Sequence, residues 1–273
     1  MLSSMLERVR GTSPLVHCIT NYVTVNDCAN ILLACGGSPI MADDPEDAKE
    51  IQSICGGLNL NIGTLNQRTI PAMFAAGETA NSCGHPVLLD PVGAGASSLR
   101  TRTALELMEK VRLTAIRGNI SEIKTLALGS GTTKGVDADL TDAVTDETIP
   151  QTAAFAKEFS AKTGSIIVIT GAIDLIADSS SVYAVRNGHP MMSRITGSGC
   201  MLSAMTTAYL TANPDHPLEA CLTAVCAMGI CGERAFARLS GHEGNATFRN
   251  YLIDEVCHLD GDSLEQEANY ELR

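Results

Sequence analysis

The chain has 273 residues, 45% of them hydrophobic, with a net charge of −12 and a pI near 4.9. That much apolar material can bury one large core, and the acid excess without any basic run argues against nucleic acid, whose phosphates are bound by clustered Lys and Arg. No segment reaches ~18 uninterrupted apolar residues, and Met1 to Arg10 lacks the charged-then-apolar order of a signal peptide. The expectation is a single soluble domain, 1–273, that stays in the cytoplasm and has no membrane partner. Its ten cysteines lie singly, without a CxxC pair, which reads as small buried hydrophobes in a reducing compartment rather than as metal ligands. With no Trp and 4% aromatic residues, platforms for stacking bases are not expected.

Along the chain, residues 4–10 have the spacing of a short amphipathic helix, and Pro14 to Thr20 reads as a buried strand that delivers Asn21 to its end. Val25, Cys28, Ala29, Leu32 and Leu33 recur at helical spacing until Gly36-Gly37 stops them. Strand and helix then alternate: strand Ser38 to Met41, helix 45–55, strand Gly57 to Gly63, helix 66–82, strand Pro86 to Asp90, helix 98–111, strand Leu113 to Ile116, helix 119–128. The alternation predicts an α/β fold, a mostly parallel sheet with helices on both faces. A polar stretch, 130–148, reads as a loop or lid-like connection before helix 150–163 and strand Ser165 to Thr170, and 174–187 carries a hairpin pattern. After residue 197 only helices are expected, 198–212, 217–239 and 244–257, with the acidic tail from Asp260 solvated or frayed.

In an open parallel sheet, ligands bind beyond the carboxyl ends of the strands. Asp90 ends one strand before a Pro/Gly-rich turn, Arg117-Gly118-Asn119 follows another with Glu122 three residues on, and Gly197-Ser198-Gly199-Cys200 opens an apolar helix. Each has a plain structural reading: Asp90 as a turn former, Asn119 and Glu122 as a capping box, the glycine run as a tight turn at a helix start. Together they make a set for phosphoryl transfer: an anion cradle at a helix N-terminus, two carboxylates for Mg²⁺, a cation for nucleotide phosphates and a thiol as base. Free thiols titrate near pH 8.5, although a helix N-terminus can lower that value. No GxxxxGK[ST] run is present, which excludes a Walker-type site.

At these residues the sequence resembles the hydroxyethylthiazole kinases of thiamin salvage, within the ribokinase-like fold. The resemblance rests on Val16 to Asn21, Ser38 to Ala42, Leu60 to Leu65, Leu89 to Ala94, Arg117 to Asn119 with Ser121-Glu122, and Thr196 to Leu202, in one order and nearly end to end. It implies ATP-dependent phosphorylation of the primary alcohol of 4-methyl-5-(2-hydroxyethyl)thiazole with Mg²⁺. Carried over by motif, Asn21, Met41 and Gly197 would bind the thiazole, Arg117 and Thr170 would contact ATP, Asp90 and Glu122 would serve Mg²⁺ and its waters, and Cys200 would be the base. The family is also typically a homotrimer with active sites shared between subunits. Where most sugar and pyridoxal kinases of the wider fold have Asp, this chain has Cys200. Rival acceptors within the fold are a hydroxymethylpyrimidine or pyridoxal; rival classes are an ATP-dependent dehydratase of hydrated nicotinamide cofactors and a silent nucleotide sensor.

Overall fold

A computed structural model describes residues 1–129 and 144–273. Among these residues the strands are β1 (Leu15–Ile19), β2 (Ser38–Ile40), β3 (Gly57–Asn61), β4 (Val87–Asp90), β5 (Ala115–Asn119), β6 (Ile166–Thr170), β7 (Asp174–Ala177), β8 (Val182–Val185) and β9 (Tyr270–Leu272). They form one nine-stranded sheet in the order β2-β1-β3-β4-β5-β6-β7-β8-β9. From β2 through β6 the neighbours are parallel; β6, β7, β8 and β9 pair antiparallel. The strand order reverses around β1, which opens a crevice at the carboxyl ends of β1 and β3.

Strand residues alternate between two apolar layers because successive side chains point to opposite faces. Val16, Leu88 and Val168 pack with α1 (Leu2–Thr12), α2 (Val25–Cys35), α8 (Ser198–Ala212), α9 (Pro217–Ala237) and α10 (Asn245–His258). Ile19, Leu89 and Ile167 pack with α4 (Thr69–Cys83), α5 (Ser98–Lys110), α6 (Ile120–Leu128) and α7 (Ile149–Thr163). The α/β architecture expected from the alternating pattern is therefore the observed one. α9 is the one described helix long and apolar enough to cross a membrane, and 78% of that apolar stretch is buried inside the protein. Its apolarity on all sides is that of a core helix.

The structure departs from the sequence pattern in two places that matter. β5 runs on to Asn119 rather than ending at Ile116, because its ladder with β6 continues through Arg117↔Val168, Gly118↔Ile169 and Asn119↔Thr170. Arg117 is thus held by a strand and not by a loop. The tail is not frayed: it forms α11 (Gly261–Glu267) and then β9, which closes the sheet edge against β8. Asp260 caps α11 by accepting from the Ser263 N–H at 2.8 Å, and the Tyr270 ring meets Tyr183 edge-on at 5.8 Å, so this acidic segment has local partners that its charge pattern hides. The lid-like connection expected over 130–148 lies for the most part outside the described residues; of it, Thr145 to Thr148 form the turn that leads into α7.

Candidate active site

A cleft of about 700 Å³ lies over the carboxyl ends of β1, β3, β4 and β5 and is closed on one side by the start of α8. Of the residues singled out in the sequence, Asn21, Asp90, Arg117, Glu122, Gly197, Ser198, Gly199 and Cys200 all line it. Gly197 precedes the first turn of α8 with φ +88°, a conformation costly for residues with a Cβ, and a Cβ there would lie 2.6 Å from Thr24 Cγ2. The leading N–H groups of α8 have no acceptor within the helix, which suits them to an anion.

Asp90 is fully buried at the end of β4 and is held through one oxygen only. Its Oδ2 accepts from Asn61 Nδ2 at 2.8 Å and from Ser203 Oγ at 2.9 Å. Oδ1 has no hydrogen-bond partner, and its nearest cation, Arg117 Nη1, is 3.7 Å away. Burial raises the Asp90 pKa, opposed by Arg117, Ser203 and Asn61. Glu122 completes a capping box with Asn119, as its spacing suggested, and is also an acid of the cleft: Oε1 accepts from the Gly93 N–H at 2.8 Å and Oε2 from the Asn119 N–H at 2.9 Å. Burial first, and then the Asp90 charge, push it up to about 7 against those two N–H groups. The capping-box reading of Glu122 holds, and the same carboxylate lines the cleft.

The Arg117 guanidinium donates to Thr170 Oγ1 at 2.5 Å and passes under the start of α8, where a Cβ on Gly199 would come within 2.5 Å of Nη1. Thr170 is not itself among the residues that line the cleft. Cys200, in the first turn of α8, accepts hydrogen bonds from Asn21 Nδ2 at 3.2 Å and Asn61 Nδ2 at 3.3 Å. Burial, then the nearby Asp90 charge, raise the thiol pKa despite these contacts and Arg117. The lowering that a helix N-terminus can provide is outweighed, because desolvation of a thiolate costs more than a partial dipole returns. Met41 is not brought to this cleft: it follows edge strand β2, half-buried against the α8 and α9 layer.

With this geometry in place, comparison with known proteins is decisive. The sequence model described as the hydroxyethylthiazole kinase family matches residues 6–262. The chain belongs to the hydroxyethylthiazole kinase family. It is 66% identical over 271 residues to a protein named hydroxyethylthiazole kinase from Clostridium acetobutylicum, covering 99% of each chain. It also superposes on the hydroxyethylthiazole kinase structure from Pyrococcus horikoshii with a TM-score of 0.88 and 32% identity, over 100% of this chain and 98% of that one. A Staphylococcus aureus pyridoxal kinase solved with AMP-PCP and pyridoxal shares the fold at a TM-score of 0.61 and 15% identity, over 95% of this chain and 98% of that one.

Within this cleft, the structure adds contacts to which sequence reasoning assigned no role, although Asn61 already stood among the strand-end positions. Asn61 joins Asp90 to Cys200, Ser203 supports Asp90, and Arg100 lines the cleft while donating to the Gly63 carbonyl at 2.7 Å. Two signals pointed to the first pair. Asn59 and Asn61 alternate with leucines in a strand covered on both faces, where a polar residue must have a partner. Ser203 falls three residues after Cys200, on the same side of α8. Arg100 carried no local signal, since only the tertiary fold brings α5 over the β3 turn.

Proposed function

We propose that this protein transfers the γ-phosphoryl group of ATP to the primary hydroxyl of 4-methyl-5-(2-hydroxyethyl)thiazole. The observation that carries the reading is that one cleft gathers the α8 N-terminal cradle, Arg117, the Asp90 and Glu122 carboxylates and Cys200 in a chain of this kinase family. Phosphoryl transfer passes through a loose transition state, so positioning and charge stabilisation dominate over covalent help. The N–H groups of α8 and the Arg117 guanidinium would hold the phosphate oxygens in flight; Thr170 acts through Arg117 by fixing its fork. Asn21 and Gly197 would border the alcohol.

The donor set fits Mg²⁺, a hard cation that keeps several waters and takes few carboxylates. Asp90 Oδ1 is buried and unpartnered, whereas both Glu122 oxygens already accept backbone N–H groups. Asp90 would therefore hold the ion or its waters through Oδ1, and Glu122 would orient waters. When bound, Mg²⁺ supplies charge neutralisation on the ATP phosphates.

Cys200 would receive the alcohol proton, and because its raised pKa keeps it mostly a thiol at neutral pH it would be a weak base. Met41 lies outside the cleft of its own chain, and Tyr22, Val23 and Val25 are exposed beside the cleft mouth. Both fit a homotrimer in which Met41 meets the thiazole bound to a neighbouring subunit. The test is phosphorylation by ATP and Mg²⁺ of the thiazole, hydroxymethylpyrimidine and pyridoxal alcohols, with sizing of the native protein. Turnover of another acceptor but not of the thiazole removes the named substrate, and a mass near one 28.7 kDa chain removes the shared site.

A further inference from the structure

His17 stands at the centre of β1, fully buried in a strand whose other positions are apolar, and it does not line the cleft. A buried imidazole is costly unless both nitrogens are satisfied. Here both have a partner: Nε2 is 2.9 Å from the Ala42 carbonyl, and Nδ1 is 3.1 Å from Gln52 Oε1. Gln52, itself fully buried on α3 (Pro45–Ile54), reaches in turn to His85 Nδ1 at 3.3 Å. Three side chains from β1, α3 and the turn after α4 thus end on one backbone carbonyl.

The proton inventory gives this chain a direction. The Ala42 oxygen only accepts, so His17 Nε2 carries hydrogen. An imidazolium could donate from both nitrogens, but burial lowers the His17 pKa more than its hydrogen bonds and the Asp47 charge raise it. A neutral ring protonated at Nε2 has a bare Nδ1, so the Gln52 amide, which is placed with Oε1 toward His17 and Nε2 toward His85, must be turned end for end to bring its NH₂ to His17 and its oxygen to an Nδ1–H of His85. Every contact then has one donor and one acceptor: His85 to Gln52, Gln52 to His17, His17 to Ala42.

Ala42 follows Met41 in the segment between β2 and Asp44, whose carboxylate caps α3 by accepting from the Glu46 N–H at 3.1 Å. The segment is short, and its carbonyl at Ala42 is held from the sheet side while Asp44 holds the helix side. We propose that His17, Gln52 and His85 form a positioning relay that fixes the Met41-Ala42 segment, and so sets the affinity for the thiazole alcohol without acting on the phosphoryl group. The proposal rests on the reading that Met41 contacts the thiazole. It accounts for a His–Gln–His chain, buried at His17 and Gln52 and half-buried at His85, that the phosphate machinery does not use.

The experiment is steady-state kinetics of the full protein for hydroxyethylthiazole and ATP, with Gln52→Leu and Met41→Ala side by side, and nitrogen-15 NMR of the unmodified protein for the His17 tautomer. Gln52→Leu is expected to raise the thiazole KM about tenfold, as loss of a buried hydrogen-bond partner does. Its kcat and its KM for ATP should stay within about twofold, a split that general destabilisation does not produce. An unchanged thiazole KM in Gln52→Leu, with a raised one in Met41→Ala, overturns the relay and leaves the Met41 reading standing. An unchanged KM in Met41→Ala overturns both. Should Gln52→Leu fail to fold, the NMR result decides: a neutral ring protonated at Nε2 supports the relay, and a ring protonated at Nδ1 or at both nitrogens overturns it.

Discussion

Gly199→Ala isolates the contribution of Arg117 placement. The new Cβ would stand 2.5 Å from Arg117 Nη1, 2.8 Å from Nη2 and 3.0 Å from Cζ, against ordinary contacts of 3.4 Å or more. The guanidinium must retreat by about 1 Å, and it can, because it is the far end of a flexible side chain. The backbone need not move, and Ala in a helix is favoured over Gly by about 1 kcal/mol, so the fold should be as stable as before or more so. What is lost is the 2.5 Å bond to Thr170 and the approach to Asp90 Oδ1. Hydrogen bonds to charged groups contribute about 1.5–3 kcal/mol, so kcat/KM for ATP should fall roughly 10- to 100-fold. Thermal melts beside initial rates over a range of ATP concentrations provide the check. A kcat/KM for ATP within about twofold of the parent at unchanged Tm would refute the idea that this glycine guards the arginine, and a Tm lowered by about 5 °C or more would refute the steric account.

Stability of the ligand-free protein should fall as pH rises from 4.5 to about 7, because folded Glu122 keeps its proton up to about 7 while the unfolded chain releases it near 4.5. In that window the unfolded chain binds fewer protons, and the loss is up to about 3 kcal/mol; burial of Asp90 acts in the same direction. Urea unfolding across this range measures it, Glu122→Gln should flatten the slope, and a stability that rises with pH would contradict the sign. Cys200→Ala should lower kcat about a hundredfold, the low end for a general base, since the thiol is mostly protonated. Cys200→Asp should match or exceed the parent, and an Asp variant as slow as the Ala variant would end the base assignment. Truncation after Ala268 removes β9, the Asn269 bonds to Arg186 and Asn187, and the 2.7 Å bond from the Arg273 N–H to the Val182 carbonyl. At about 1 kcal/mol net per bond the three named bonds alone cost about 3 kcal/mol, before the β8–β9 ladder is counted, so Tm should fall by at least roughly 5–10 °C; a melt within about 2 °C of full length would restore the frayed-tail view.

The sequence by itself determined the alternation of strands and helices, the two-sided burial and the strand-end positions of Asp90 and the glycine loop. These are local properties, carried by periodicity and by the turn chemistry of Gly and Pro. Local logic also foresaw the Asn119 and Glu122 capping box, and the tertiary fold then turned the same carboxylate toward Asp90. What local pattern could not decide was how far β5 runs, because Arg117 stays in a strand only through pairing with Val168 on a partner 51 positions later in the chain. Nor could it decide the fate of the tail, whose strand exists only because β8 offers an open edge. The protonation of Cys200 was likewise out of reach. A helix start argues for a lowered thiol pKa, but the burial and the Asp90 charge that prevail come from segments brought together by folding, and desolvation is a property of the assembled site rather than of any stretch of sequence.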